Sequence, residues 1–221
     1  MKLITAAAVA TVALTALPHG TEAHGFISEP KAVYTGGSSY TSFSKEFQAD
    51  SKFGAGPWNW SPQQNTDRFT AAWPKTGYGT LRALFKAKQV SECGYTNPNI
   101  AAIDVSKMKS MKYQNNEYKE GFLKSHQGPC EVWIDNTRVF QNNDCAKNYQ
   151  SFPAVLPVDY SKCKGTCRLS FYWLALHSQN WQAYGESSSL TCVVCLVCVC
   201  RLTVMGGAAR SLTCRSLAVF L

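Results

Sequence analysis

The sequence predicts a mainly β domain, an immunoglobulin-like or fibronectin-like antiparallel β-sandwich with loop-rich, partly helical insertions. Aromatic residues are plentiful, with six Trp, ten Tyr and eleven Phe, and short clusters of Gly, Pro, Asn and Ser interrupt the chain and leave few long helical periods. Strand-like runs such as CEVWIDNTRVF (130–140) and RLSFYWLALH (168–177) complete the case.

The N-terminal segment sets the compartment. Met1 and Lys2 give a short basic start, and residues 3–17 are an almost unbroken Ala/Val/Leu/Thr run. Pro18, His19 and Gly20 break that run, and Thr21 and Ala23 stand at the −3 and −1 positions of a cleavage site. Residues 1–23 therefore read as a secretory signal peptide, too short in its apolar part to span a membrane. Cleavage after Ala23 makes His24 the first residue of a secreted, extracellular chain.

The domain is expected over residues 24–184. Residues 24–34 (HGFISEPKAVY) look like a first strand entering a turn at 36–39, and residues 54–66 (GAGPWNWSPQQNT) read as a Gly/Pro/Trp-rich loop. In residues 78–90, Leu81, Leu84 and Phe85 fall at i, i+3 and i+4, the spacing of a short amphipathic helix. Residues 92–120 are polar and loop-rich, so the helical and irregular insertion is placed at about residues 75–120. A strand with an Asp135–Asn136 turn inside it follows at 130–140, the most strand-like run at 168–177, and a short strand at 181–184. No internal repeat is present.

Residues 185–221 differ in kind. They hold five of the ten cysteines and alternate Cys with Val in VVCLVCVC, a pattern that a simple TG dinucleotide repeat would encode. The tail is expected to be disordered, or to be translated intron or frame-shifted sequence, which sequencing the transcript across the Tyr184 codon checks. As a membrane anchor, residues 190–199 are too short and Arg201 ends them.

Residues 24–184 carry 18 Lys and Arg against 12 Asp and Glu. That excess serves ordinary solubility, or it draws an anionic partner such as an acidic polysaccharide. Nucleic acid is disfavoured, because no compact basic run is interleaved with aromatics. The same span holds five cysteines, Cys93, Cys130, Cys145, Cys163 and Cys167. Disulfides are favoured over zinc, since Cys163-x3-Cys167 has no matching second pair, and the odd count leaves one partner missing.

Three histidines remain after residue 23: His24, His126 and His177. A terminal histidine can close a chelate on one metal through its α-amine and imidazole Nδ1, and nitrogen donors in a tetragonal set favour copper(II). The α-amine titrates near 8 and so yields its proton to a metal at physiological pH. His126 lies in KSHQGPCEVW, at a tight turn just before a strand, and His177 ends WLALH. Gln182 and Tyr184 in WQAY point to the same side of an extended chain. Each of these also has a structural reading: a loop histidine, a core histidine, a packed strand tyrosine. Trp58 and Trp60 divide likewise between a sugar-stacking platform and loop-anchoring core.

Taken in order, H-G at a processed N-terminus, S-H-x-G-P in mid-chain and L-H-x(4)-Q-x-Y near the end resemble the lytic polysaccharide monooxygenases. The surroundings GPCEVWIDNTRVFQNNDCAKNY and LSFYWLALHSQNWQAY are most similar to the oomycete pectin-active family, auxiliary-activity family seventeen. The resemblance covers residues 24–184 and implies one copper ion held by His24, His126 and an axial Tyr184. It implies outer roles for His177 and Gln182, which with Tyr184 form the catalytic set. It further implies an external electron donor (a small molecule or a protein), O2 or H2O2 as co-substrate, a polysaccharide substrate such as anionic pectin, and a monomer without stable membrane association. One departure stands out: where the family has a cysteine shortly after the tyrosine, this chain reads Gly185-Glu186-Ser187.

The expected activity is thus copper-dependent oxidative cleavage of a plant cell-wall polysaccharide, with homogalacturonan preferred. The rivals are the same chemistry on cellulose, hemicellulose or chitin, and a non-catalytic secreted protein that binds copper or carbohydrate. A glycoside hydrolase is disfavoured, since no carboxylate pair stands in motif-like surroundings.

Overall fold

The computed structural model describes residues 25–36, 42–192, 196–205 and 209–218, the last two by their backbone. Strands β1 (Phe26–Glu29), β2 (Lys45–Gln48), β3 (Ile103–Asp104), β4 (Ser110–Gln114), β5 (Cys130–Ile134), β6 (Thr137–Asn142), β7 (Ala154–Pro157), β8 (Gly165–Ala175) and β9 (Asn180–Cys192) make two sheets. The smaller runs β1-β4-β7 and the larger β2-β9-β8-β5-β6. Their pairings are antiparallel, except that β3 lies parallel to the far end of β9. The mainly β, antiparallel expectation holds.

The sheets face each other across one core. Ile27, Met111, Tyr113 and Leu156 of the small sheet meet Val132, Leu169, Phe171 and Trp173 of the large one. The other face of the large sheet is also covered. There Tyr172, Leu174, Trp181 and Ala183 pack under Phe53, Phe69, Leu84 and Phe85. The run 168–177 is apolar at successive positions because β8 is central and buried on both faces. Fully burying each such Leu or Phe contributes about 1.5–3 kcal/mol.

That helical cover consists of α1 (Pro62–Thr76) and α2 (Leu81–Ala87), with a short α3 (Cys145–Asn148) further on. α2 sits within the expected helix and buries the predicted Leu81, Leu84 and Phe85. α1 corrects the sequence reading, which made residues 54–66 a loop and started the helical insertion near 75. The helix begins at Pro62, because Ser61 accepts from the Gln64 amide while the Gln64 side chain reaches back to the Ser61 N–H. Such a capping box, with Pro in the first turn, satisfies the free amides of a helix start. The β5–β6 hairpin turns at Asp135–Asn136 as expected, with Asp135 at φ 50°.

The boundary at Tyr184 is a second correction. β9 continues to Cys192, pairing with β8 down to Gly165, and Glu186, Ser187, Ser188 and Leu190 are buried. Pairing with β8, the burial of Leu190, and hydrogen bonds made by Glu186 and Ser187 carry the strand on. Beyond it, β10 (Leu196–Met205) and β11 (Ala209–Ala218) form an antiparallel hairpin, where disorder was expected. That hairpin is a sheet of its own.

Two disulfides join Cys130 to Cys145 and Cys163 to Cys167. Cys192, at the end of β9, is a free thiol, and so is Cys93, the odd cysteine of residues 24–184. Cys93 neighbours residues 185–187, for the Ser187 hydroxyl donates to the Glu92 carbonyl at 3.2 Å.

Candidate metal centre

His126 is set by the turn that follows it. Gly128 sits at φ 150°, and a Cβ there would stand 2.0 Å from the Leu174 carbonyl oxygen. Only glycine lets the loop come so close to β8. The Gln127 carbonyl accepts from Leu176 N–H at 2.8 Å and the Pro129 carbonyl from Leu174 N–H at 3.0 Å. The loop is thereby laid along the end of β8, and His126 arrives beside His177, with ring centroids 3.8 Å apart. His126 is 1% exposed, and its Nδ1 lies 2.9 Å from the Ser125 hydroxyl. The Gly128 N–H donates to Asp144 at 3.3 Å, and the Gly128 carbonyl accepts from the Cys145 N–H at 2.9 Å. The Cys130–Cys145 bridge clamps the same turn.

β9 supplies the second set. Trp181 and Ala183 face the helical layer, so Gln182 and Tyr184 share the opposite face. The Tyr184 hydroxyl donates to Gln182 Oε1 at 2.8 Å, and Gln182 Nε2 donates to Glu46 of β2 at 3.2 Å. The Tyr184 ring stacks on Trp173 at 4.6 Å, and Trp173 in turn lies 6.4 Å from His126. Burial lowers the His177 pKa and nearby Glu46 opposes it only in part, so the ring is neutral at neutral pH. His177 Nδ1 is buried without a hydrogen-bond partner among the described residues.

The N-terminal strand is drawn to the same cluster. A Cβ on Gly25 would stand 2.4 Å from the Tyr113 ring. Tyr113 stacks on Phe122 at 4.8 Å and meets Trp173 edge-on at 5.8 Å. Glu186 holds the strand from the other side, accepting the Ile27 N–H at 2.9 Å. Its carboxyl is pushed up to about 7 by burial, against the pull of hydrogen bonds from Ile27 and Tyr34. His24, like the rest of residues 1–24, lies outside the described residues.

The structure thus brings together four of the five predicted site residues: His126, His177, Gln182 and Tyr184. Among the described residues, no group of three or more His, Cys, Asp or Glu could hold a metal ion. An imidazole and a phenol are present, with the buried and unpartnered His177 Nδ1 beside them. Imidazole donors suit copper, and the amine and imidazole that complete the expected set belong to residue 24. The described residues thus contribute one imidazole and one phenol to the expected set.

Sequence reasoning gave no part to Ser125, Glu46, Tyr113 or Trp173. Ser125 was visible in the S-H-x-G-P motif. The other three are joined to the site by sheet pairing and core packing, which no local pattern announces. Trp58, 3% exposed, belongs to the core, while Trp60 is 39% exposed. Scanned against models of known protein families the chain matches none, and a search of curated proteins returns no significant match.

Proposed function

We propose that this protein is a secreted, copper-dependent lytic polysaccharide monooxygenase that cleaves plant cell-wall polysaccharide oxidatively, with homogalacturonan pectin as its substrate. One observation carries the reading: His126 and His177 meet at 3.8 Å beside the Tyr184–Gln182 pair, on the aromatic stack that also holds Gly25. In a chain beginning at His24, the terminal residue is one Cα–Cα step, about 3.8 Å, from that anchored glycine.

Bound copper would supply one-electron redox chemistry toward O2 or H2O2, fed by an external donor. The chain's own residues do the rest. His126 would bind the ion, its ring aimed by the Ser125 contact, as partners of ligating histidines aim them elsewhere. Tyr184 would offer its phenol oxygen to the ion, its ring fixed by stacking on Trp173. Gln182, held between Tyr184 and Glu46, and neutral His177 would offer hydrogen bonds to an oxygen co-substrate. The excess of 18 basic over 12 acidic residues in 24–184 supports a polyuronate. Among the described residues no helix is long and apolar enough to cross a membrane.

The test is the secreted protein, its N-terminal mass and its products. A mature chain starting at His24 is expected to bind one copper ion tightly. With ascorbate it should release oxidised oligogalacturonides from homogalacturonan. A chain starting elsewhere sinks the proposal. Copper binding without oxidised products from any wall polysaccharide makes the protein a non-catalytic binder instead.

A further inference from the structure

Beside the site, one cation is held between two indoles. The Arg68 guanidinium lies 4.8 Å from the Trp58 ring and 4.4 Å from the Trp60 ring, and it donates to the Ala55 carbonyl. None of the ion pairs formed among the described residues involves Arg68. The nearest acid in sequence, Asp67, accepts instead from the Gln63 side chain at 2.8 Å. The charge is therefore fixed in place and not neutralised.

The position of this sandwich is tied to the histidines. Asn65, fully buried, donates to the carbonyls of Trp58 at 3.1 Å, Trp60 at 3.4 Å and Leu176 at 2.7 Å. Leu176 immediately precedes His177. A groove of about 240 Å³ runs along the same loop, bordered by Gln48, Gly54, Trp58 and Gln179, the last two residues beyond His177. Asp50 borders it too, but its carboxylate is occupied by the Tyr78 hydroxyl at 2.6 Å and Lys88 at 2.9 Å.

We infer that Trp60 and Arg68 form an acidic-sugar subsite, in which a uronate ring stacks on the exposed face of Trp60 and its carboxylate pairs with the Arg68 guanidinium. The inference rests on the function proposed above and adds a reason for preferring de-esterified pectin. An indole accepts any flat sugar face, whereas a fixed guanidinium rewards only a ring that carries a carboxylate. Ordering is already complete, because Arg68 is packed on both sides, so little side-chain entropy is lost on binding.

Calorimetric titration of the full mature protein with hexagalacturonate and with cellohexaose tests this. Trp60→Ala is expected to weaken both, and Arg68→Gln to weaken hexagalacturonate alone, each by about tenfold, with Arg68→Lys intermediate. Copper affinity, measured alongside, should be unchanged in Trp60→Ala, and the thermal midpoint should fall only slightly, through the lost contact with Arg68. Should Arg68→Gln unfold, Trp60→Ala and Arg68→Lys still decide. Wild-type protein that ignores hexagalacturonate, or variants that bind it as wild type does, overturns the subsite. Trp60- and Arg68-dependent binding in a protein that releases no oxidised products upholds the subsite and overturns the enzyme reading alone.

Discussion

His126 meets His177 only because residue 128 has no side chain. An alanine there would place Cβ 2.0 Å from the Leu174 carbonyl oxygen, on a backbone at φ 150° that costs a non-glycine residue of order 1–3 kcal/mol. Neither neighbour can give way, since the clash is with the backbone of a central strand. Gly128→Ala is expected to lower stability by at least about 2 kcal/mol and to weaken copper binding, because relief means moving the turn that carries His126. Thermal denaturation and a copper titration of the same sample check both. At this scale the sequence was informative: S-H-x-G-P and L-H-x(4)-Q-x-Y hold the four described residues that the fold gathers, while the histidine of H-G lies outside the described residues. What it concealed were the residues that aim them. Glu46 reaches Gln182 through the β2–β9 pairing, and Trp173 links His126 to Tyr184 from inside the core, so both depend on register fixed far away in the chain.

Single elements show the same division. α2 was legible because its three core residues repeat at helical spacing. α1 was not, since Trp58, Trp60 and two glycines precede it and mask a capping box that begins at Ser61. The β5–α3 connection matters most for the site. Cys130 opens β5, Cys145 opens α3, and their bridge encloses the segment whose ends grip Gly128. Cys145→Ser should cost about 2–5 kcal/mol, the usual loss for a native bridge in an exported domain, and it should loosen His126. The Cys163–Cys167 bridge, near the far end of β8, offers the control. Cys163→Ser should lower the thermal midpoint while leaving copper affinity at the wild-type value. Equal loss of copper by both variants would show that the first bridge has no local role.

For the whole molecule, the decisive element is β9. It pairs with β2 at residues 180–183, with β3 at 190–191 and with β8 along its length, so it ties three other strands into the large sheet. Composition pointed to Tyr184 as the end of the domain, because unusual residue types follow it. Strand pairing is a backbone property and takes little notice of composition, which is why the fold runs on to Cys192. Two truncations separate these views. A chain ending at Cys192 loses only a hairpin whose strands pair with each other, and its thermal midpoint should stay close to that of the full chain. A chain ending at Tyr184 strips Glu186, Ser187, Ser188 and Leu190 from the core, breaks the Ile27–Glu186 bond and leaves Gly165 to Tyr172, most of β8, without their neighbour. Losing a buried leucine alone costs about 2–5 kcal/mol, and a domain has only about 5–15 kcal/mol to lose. This shorter chain should therefore fail to fold cooperatively, and with β1 released from Glu186 it should no longer hold Gly25 against the Tyr113 ring. A cooperative thermal transition from it, near that of the full chain, would return the boundary to Tyr184.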